Sequence, residues 1–576
     1  MGFFDIITTT GKLASAHTKT FRNTPQFTDP LWLPVKGSIP KWLNGVLYRI
    51  GPGKYNLGPD EKDPQYVIRH AFDGLPLIHR FEVSASRQSI RYNSRMTAED
   101  REKALVQGET PGPFFGHVHS RESSWGRLKG TAARIDSMML RKSDRRHQSP
   151  SSQSVGVTTT PNYPLPQSDN QQEHVLVSKT DANVLQKLHH DTLEPEKIFT
   201  YQNYDQALDG NISAAHHQYD PETGEVFNFT IHFGRTPSMT VFSISKTGQV
   251  TILAKITHRL LPNGKYTSFN PSYIHSFWLT KDYVVIPESP LIYTNHGLDL
   301  VLSGTVVGGL AWQANEPSYL HVISRNKQAG QVVSVPTDPF FTFHTANGFG
   351  ETDSEGNTTL HLDCCAFASG DVVYAVHSFG AVDERVDTSS KQGAKKEEKL
   401  RGLRLDSDGA ADYADLVRYS ISLPSNENGK NAKVTRRVLA ENVEFPRFSP
   451  KKTITPYRYV WGCQQTGDNR QDTGLIKVDL TTGETARFAL DNCTCSEPVF
   501  VPKDMESADA PEDQGALLSF VNVRDTSVDG SSSNCFILIL DAANMQELAR
   551  CYIGKFNATT FHGSFVDMEF QSVSPN

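Results

Sequence analysis

The sequence lacks several features that define broad classes of protein. No run of about 18 apolar residues occurs in its 576 residues, so no membrane-spanning helix is predicted. Basic residues are not in excess, because 57 Lys and Arg stand against 64 Asp and Glu and the net charge is −7. Since binding to nucleic acid requires a basic face, we expect no nucleic-acid partner.

Cysteine is scarce as well. The seven cysteines are odd in number and dispersed, which argues against the disulfide framework of a small secreted protein. The close pairs Cys364-Cys365 and Cys493-Thr494-Cys495 lack zinc-finger spacing, so we expect buried, small apolar residues there. The residues after Met1 lack the basic start and long apolar core of a signal peptide. The expected compartment is therefore the cytosol.

Short strand-like segments separated by glycine-containing turns are abundant. Three hairpins are predicted around the turns Thr223-Gly224, Thr247-Gly248 and Thr482-Gly483, each flanked by β-branched and aromatic residues. Convincing long amphipathic helices are few. The pattern predicts an all-β protein, and a β-propeller best accommodates this length as one domain. The repeat has no fixed period, so the number of blades cannot be read from it.

The domain organisation follows from where this pattern begins and breaks. Residues 1–30 are polar and rich in turns and are predicted to form an N-terminal arm. Residues 31–576 are predicted to form a single propeller domain. Insertions are expected near 107–175, where turn residues, basic residues and serines interrupt the strands, and near 384–415, which is highly charged.

Four histidines share an unusual context. His216, His275, His344 and His562 each adjoin small or aromatic residues where a strand-rich segment begins or ends. A single histidine in such a place is usually an ordinary core or surface residue. In a propeller, however, these positions can lie near the central axis, which raises the probability of one shared metal. Neutral imidazole suits Fe, Cu, Zn and Ni, so the residues alone do not name the ion.

An all-imidazole site carries no negative charge, so carboxylates that accept the imidazole N–H bonds are expected around it. Asp181, Glu444 and Glu497 are the candidates, because each lies next to apolar or small residues. The alternative interpretation is that all three are ordinary turn or strand-end residues, two of them near proline.

Motifs spread over almost the whole chain resemble those of the carotenoid cleavage oxygenases, including the fungal members that cleave torulene. The matching segments are Leu43–Pro52, His70–Gly74, Ala215-His216, Ile274–Phe277, Phe343-His344, Glu444–Arg447, Ser496–Val501 and Phe561–Gly563. The resemblance implies a seven-bladed β-propeller with a cap of loops and helices over an axial metal site.

The resemblance also assigns roles to residues. It implies that His216, His275, His344 and His562 bind Fe(2+), and that Glu444 and Glu497 hold ligand histidines. The third such carboxylate is typically a glutamate in the family. Here it is Asp181, whose shorter side chain would reach its histidine directly, through water, or not at all.

The implied activity is that of a dioxygenase. It would use O₂ to split a conjugated double bond into two carbonyl products, without a protein nucleophile or acid–base pair. Related members cleave carotenoids or apocarotenoids, and one branch cleaves phenolic stilbenes such as resveratrol. In that branch a lysine directly precedes the carboxylate, whereas here Thr180 does, and Lys179 would face the other way in a strand.

A hydrophobic carotenoid is therefore the expected substrate, with torulene cleavage to β-apo-4′-carotenal, on the path to neurosporaxanthin, as the favoured reaction. Cleavage of β-carotene or an apocarotenoid to retinal, stilbene cleavage, an isomerohydrolase reaction on a retinyl ester and a non-catalytic binding module are the alternatives. Because carotenoids reside in lipid, peripheral membrane contact is expected. Phe114-Phe115 and Met138–Lys142 are candidates, although both also fit an ordinary insertion loop.

Overall fold

The computed structural model describes residues 23–61, 63–68, 70–109, 112–116, 148–169, 174–326, 328–378, 413–425, 429–466, 472–505, 510–523, 534–570 and 573–574. Strands dominate these residues, and almost all of them pair antiparallel with strands adjacent in sequence. The prediction of an all-β protein is confirmed.

Within the described residues, seven antiparallel groups of four main strands form the blades of a β-propeller. Blade 1 contains Gly45–Lys54, Leu75–Ser84, Ser89–Met96 and the late strand His562–Val566. Blade 2 contains Thr158–Pro161, Leu176–Lys179, Leu185–Leu188 and Pro195–Phe199. Blade 3 contains Gln218–Tyr219, Val226–His232, Ser238–Ile244 and Val250–Ile256. Blade 4 contains Trp278–Leu279, Tyr283–Glu288, Ser318–Ser324 and Gln331–Thr337.

The last three blades follow in the same manner. Blade 5 contains Phe341–Thr352, Thr358–Phe367, Asp415–Leu423 and Lys433–Ala440. Blade 6 contains Glu444–Arg447, Tyr459–Thr466, Asp472–Asp479 and Thr485–Phe488. Blade 7 contains Val499–Pro502, Gly515–Val523, Asn534–Asp541 and Glu547–Gly554.

Shorter elements complete the described part of the chain. The short or bridging strands are Leu31–Gly37, Asn56–Leu57, Tyr66–Val67, Ile212–Ser213, His258–Leu260, Tyr266–Ser268, Leu291–Tyr293, Leu310–Trp312, Cys493–Cys495 and Val573–Ser574. The α-helices are Glu99–Val106, Leu298–Ser303 and Asp371–Ser378, and the 3-10 helices are Ala71–Asp73, Gln167–Asp169, Tyr201–Asn203, Thr294–Gly297, Val307–Gly309 and Pro450–Lys452. None of the helices in these ranges is long and apolar enough to cross a bilayer.

The two ends of the propeller are joined by strand pairing. His562–Val566 pairs with Gly45–Lys54, with Ile50 opposite His562 and Val46 opposite Val566. The first half of the strand Leu31–Gly37, up to Pro34, pairs with a strand of blade 1, and the second half, from Val35, pairs with a strand of blade 7. Because both connections are backbone ladders, the ring is closed by hydrogen bonds as well as by side-chain packing.

The predicted hairpins are confirmed. The turns at Thr223-Gly224, Thr247-Gly248 and Thr482-Gly483 each connect two paired strands, with Tyr219 opposite Val226 in the first. All seven cysteines are buried and free, as expected for the two close pairs.

Two expectations about insertions meet the structure only in part. The segment 107–175 contains the strand Thr158–Pro161, which starts blade 2 and was not expected there. Its three consecutive threonines were obscured by the serine and glutamine residues around them. Most of 384–415 lies outside the described residues, and Asp415 begins a strand of blade 5. The division into an arm and one domain stays a prediction.

Neighbouring blades pack through large aromatic side chains. Trp461 of blade 6 stacks on Phe500 of blade 7, with ring centroids 4.4 Å apart and planes at 9°. Its indole N–H donates to the carbonyl of Ala542 at 3.1 Å. Both rings are fully buried, so this contact fixes blade 6 against blade 7.

We therefore expect Trp461→Ala to lower the free energy of unfolding by about 3–5 kcal/mol, because it leaves a cavity and an unpaired carbonyl between two blades. Urea denaturation followed by far-UV circular dichroism measures the loss. Trp461→Phe keeps a stacked ring and should cost clearly less; equal losses for the two variants would contradict this account.

Candidate metal centre

Four histidines from four blades meet at the hub of the propeller. His216 follows Ile212–Ser213 and His275 precedes Trp278–Leu279, while His344 lies in the first strand of blade 5 and His562 starts the closing strand of blade 1. One nitrogen from each lies within 4.8 Å of the others. The Nε2 atoms of His216 and His562 are 3.1 Å apart, and all four residues are buried. The structure therefore brings the sequence-predicted histidines together.

Irregular strands direct two site residues toward this point. The pairing of Phe341–Thr352 with its neighbour shifts register between Thr342 and Thr345, directly at His344. The strand Glu444–Arg447 also shifts, and Phe445 adopts a left-handed φ of 53°. Bulges of this kind reorient side chains, and a strained non-glycine residue is typical of functional sites.

Three of the four imidazoles donate to a carboxylate. The distance from Nδ1 of His344 to Oε2 of Glu444 is 2.6 Å, and that from Nδ1 of His562 to Oε1 of Glu497 is 3.1 Å. Nδ1 of His275 lies 2.9 Å from both oxygens of Asp181. Because each Nδ1–H is used in this way, each Nε2 lone pair faces the centre.

His216 differs from the other three. Within the described residues it has no carboxylate partner, and its position is set through the backbone. The backbone N–H of His216 donates to the carbonyl of His275 at 3.3 Å, and the hydroxyl of Thr158 donates to the carbonyl of Ala215, the preceding residue, at 2.9 Å. The unexpected strand of blade 2 thus helps to place this imidazole.

The carboxylate of Asp181 accepts two further hydrogen bonds besides the one from His275. The Tyr273 hydroxyl donates to its Oδ2 at 2.8 Å, and the backbone N–H of Ala215 donates to its Oδ1 at 3.2 Å. Burial and the nearby Asp181 raise the pKa of Tyr273 well above its usual value, so the phenol remains a donor. The short side chain therefore reaches His275 directly, and it also links to the residue before His216.

Burial keeps two of the imidazoles, those of His216 and His562, uncharged. Burial lowers the pKa of His562 to about 3 although Glu497 opposes the shift, and burial together with the other histidines lowers the pKa of His216 well below its usual value. Nε2 of His344 is buried and has no hydrogen-bond partner among the described residues. Four converging imidazole nitrogens, one of them buried without a hydrogen-bond partner in the described chain, fit a divalent transition-metal ion.

Two arginines surround one of the carboxylates. Nη1 of Arg49 lies 3.6 Å from Oε2 of Glu497, and Nη1 of Arg447 lies 3.6 Å from Oε1. Burial alone would raise the pKa of Glu497, but Arg447, His562 and Arg49 outweigh it and hold this pKa at about 2. Glu497 is therefore ionised at any physiological pH.

A cavity of about 950 Å³ opens at the histidines. His275, His344 and His562 reach it, and eight Phe and Tyr residues line it: Phe72, Phe114, Phe115, Tyr273, Tyr293, Phe343, Phe445 and Phe561. The remainder of the lining includes polar residues such as Gln202 and Asn211. The volume lies at the upper end for small-molecule sites, so it accommodates a long substrate.

The two residues before Asp181, Lys179 and Thr180, differ in their position relative to the cavity. Thr180 lines the cavity. Lys179 is buried, and its Nζ lies 2.8 Å from the hydroxyl of Thr160 and 2.7 Å from Nδ1 of His217. The ammonium group of Lys179 therefore makes its hydrogen bonds outside the cavity, on the opposite face of the strand, as expected from the alternation of side chains.

Three residues at the site were not identified from the sequence: Tyr273, Arg49 and Arg447. Tyr273 lies two residues before His275, which places both side chains on one face of an extended segment, so spacing was an available signal. Arg447 lies within three residues of Glu444 in a segment already singled out. Nothing local pointed to Arg49, since its partner is 448 residues away.

Comparison with known proteins gives the following matches. The family model described as retinal pigment epithelial membrane protein matches residues 20–567. Torulene dioxygenase of Fusarium fujikuroi is 27% identical over 562 residues, covering 93% of this chain and 90% of that protein. The mitochondrial carotenoid-cleaving dioxygenase of Homo sapiens is 28% identical over 581 residues, covering 92% and 87%.

The fold also matches solved structures. Synechocystis apocarotenoid oxygenase superposes with a TM-score of 0.67 at 19% identity, covering 96% of this chain and 99% of that chain. A cobalt-substituted form of the same protein gives 0.65 at 19% identity, covering 95% and 98%. The seven-bladed propeller is thereby confirmed.

We expect Tyr273→Phe to weaken binding of Co(II) by about 10- to 100-fold, because Asp181 loses a donor that fixes the carboxylate against His275. Isothermal titration calorimetry of the apoprotein measures the affinity. Tyr293→Phe is the matched control, since the Tyr293 hydroxyl is buried without a hydrogen-bond partner in the described chain. Equal affinities for the two variants would refute a role for the Tyr273 hydroxyl.

Proposed function

The chain belongs to the retinal pigment epithelial membrane protein family, and on that premise we propose that it is an Fe(II)-dependent dioxygenase that cleaves a conjugated double bond of a carotenoid. The resemblance to carotenoid cleavage oxygenases is confirmed, and the chain is an oxygenase. The observation that carries the specific proposal is the convergence of four buried imidazoles, three of which line a large cavity that also contains many aromatic side chains.

In this proposal His216, His275, His344 and His562 hold the iron, and Asp181, Glu444 and Glu497 orient three of them. Four imidazole nitrogens are a ligand set that would suit ferrous iron. Bound iron would supply a spin-allowed route for the reaction of O₂. Both oxygen atoms then end in the two aldehydes that replace the carbon–carbon double bond.

The side chains around the metal bind, orient and exclude water. The ring of Phe72 contacts those of Phe115 and Phe561 edge to face, at centroid distances of 4.8 and 5.3 Å, and the three rings form an apolar wall. Phe343 and Phe445 flank the histidines themselves, at 5.6 Å from His275 and 4.7 Å from His344. An extended polyene held against these rings keeps its double bond dry beside the metal, and no acid–base group is needed.

Among carotenoids we propose torulene, cleaved to β-apo-4′-carotenal. The support is the similarity of the chain to torulene dioxygenase of Fusarium fujikuroi over almost its full length. A stilbene is the second candidate to test. A stilbene is disfavoured because Lys179 makes its hydrogen bonds outside the cavity. The phenol of a stilbene bound in the cavity would meet Thr180 instead of a lysine.

The deciding experiment is incubation of the iron-loaded protein with torulene, β-carotene, an apocarotenal and resveratrol under ¹⁸O₂. We expect torulene to give a labelled aldehyde pair, identified by mass. Cleavage of resveratrol without any carotenoid product would reverse the choice of substrate, and absence of oxygen uptake with every compound would remove the dioxygenase.

We expect His275→Ala to lose most of its iron and all measurable turnover, because the ion loses a ligand that is fixed by Asp181. Metal analysis and the carotenoid assay measure both effects. His361→Ala is the control, since His361 bonds Ser420 and Glu351 on blade 5 and lies outside the cluster. Full iron content in His275→Ala would exclude it as a ligand.

Peripheral contact with a membrane is also proposed, but at a different place from the sequence candidates. Phe114 is only 4% exposed and its N–H donates to the carbonyl of Gly304, so it is a packing residue; this corrects the first candidate. Met138–Lys142 lie outside the described residues. The helix Leu298–Ser303 instead exposes Leu298 and Leu302, by 41% and 52%, while its Leu300 lines the cavity.

We expect the double variant Leu298→Asp, Leu302→Asp to reduce co-sedimentation with phosphatidylcholine vesicles by about fivefold or more, because two apolar anchors become charged. Unchanged iron content serves as the folding control. Val438→Asp alters a comparably exposed residue on the edge strand of blade 5 and should leave sedimentation unaltered. Equal sedimentation of all proteins would place any membrane contact elsewhere.

A further inference from the structure

The charges around the four histidines are unevenly distributed. Asp181, Glu444 and Glu497 each accept a hydrogen bond from one imidazole. A divalent ion inside three carboxylates would leave one net negative charge in a buried site. Such a charge stabilises Fe(III) relative to Fe(II), because the oxidised ion carries one more positive charge.

Arg49 and Arg447 change that balance. Both guanidinium groups are buried, and each has a nitrogen 3.6 Å from a different oxygen of Glu497. Their other contacts hold them in place. Arg49 donates to the carbonyl of Glu497 at 2.8 Å and to the Ser496 hydroxyl at 2.8 Å, and Arg447 donates to the carbonyl of Gly563, beside His562, at 3.3 Å. Two fixed cations therefore face one carboxylate.

The other two carboxylates lack such partners. Among the described residues, neither Asp181 nor Glu444 forms an ion pair with lysine or arginine. Orientation of a carboxylate therefore does not by itself require a cation here. The bond from His562 to Glu497, 3.1 Å, is also longer than the 2.6 Å bond from His344 to Glu444. A carboxylate shared with two arginines is a weaker acceptor, which makes its imidazole a poorer electron donor.

We propose that Arg49 and Arg447 act through Glu497 to raise the reduction potential of the iron and keep the resting centre ferrous. This inference rests on the proposed iron site. The reaction that they suppress is transfer of one electron from Fe(II) to dioxygen, which yields Fe(III) and superoxide and inactivates a centre that must meet O₂ as Fe(II). Both arginines are positioning and electrostatic residues, since neither lies at the histidine nitrogens.

The test compares Arg447→Gln and Arg447→Met, which remove the charge, with Arg447→Lys, which keeps it. Glu497 retains Arg49 and His562 in every variant, so no carboxylate is left unpaired and two neutral replacements guard against failure of one to fold. Mediated redox titration of the iron-loaded protein, followed by the electron paramagnetic resonance of Fe(III), gives the potential without any substrate.

We expect the neutral variants to shift the Fe(III)/Fe(II) equilibrium at least about tenfold toward Fe(III), which corresponds to a potential lower by about 59 mV. Arg447→Lys should recover most of the shift. Arg418→Gln is the control, because it also removes an arginine paired with a buried carboxylate, that of Asp363 on blade 5, but away from the histidines, and it should leave the potential unchanged.

Equal potentials for wild type and both neutral variants would overturn the inference, as would a shift in Arg447→Lys as large as in Arg447→Gln. These outcomes are separable from failure of the proposed function. A protein that holds iron but cleaves no carotenoid still yields a potential, whereas a wild-type protein that binds no iron at all would overturn both.

Discussion

The pairing of the last long strand with the first blade is the constraint on which the site depends. His562 begins that strand and lies opposite Ile50 in the ladder. The strand pairing that closes the ring therefore also places the fourth imidazole at the hub. The Nε2 atoms of His216 and His562, separated by 346 residues, then lie 3.1 Å apart. A contact over such a separation carries a large loop-closure entropy, which the packing of the other blades has to offset.

Burial and hydrogen bonding together prepare the histidines for a metal. Desolvation keeps His216 and His562 uncharged, so their lone pairs are available and no proton must leave before an ion binds. The carboxylates bind Nδ1–H and thereby select the tautomer in which Nε2 faces the hub. Bulged strands at His344 and Glu444 supply the orientation that a regular strand does not provide.

The three histidine–carboxylate pairs are built differently. Glu444 makes one short bond, Asp181 shares its oxygens with a tyrosine and a backbone amide, and Glu497 is flanked by two arginines. Asp181 shows why a shorter side chain is sufficient here: the hydroxyl of Tyr273 and the N–H of Ala215 hold it within 2.9 Å of His275. The same tyrosine lines the cavity, so under the proposed function it would support both the metal ligand His275 and the bound substrate.

Local sequence determined the strand-and-turn character of the chain, its buried cysteines and the histidines worth considering, because alternation of side chains, turn residues and apolar neighbours are properties of short segments. Family motifs added the roles of those histidines and the number of blades. Only the tertiary structure decided that Asp181 bonds His275 directly, that Phe114 is buried and that Arg49 meets Glu497 across 448 residues. Each of those outcomes depends on the relative placement of separate blades, which packing around a common axis sets and no local pattern encodes.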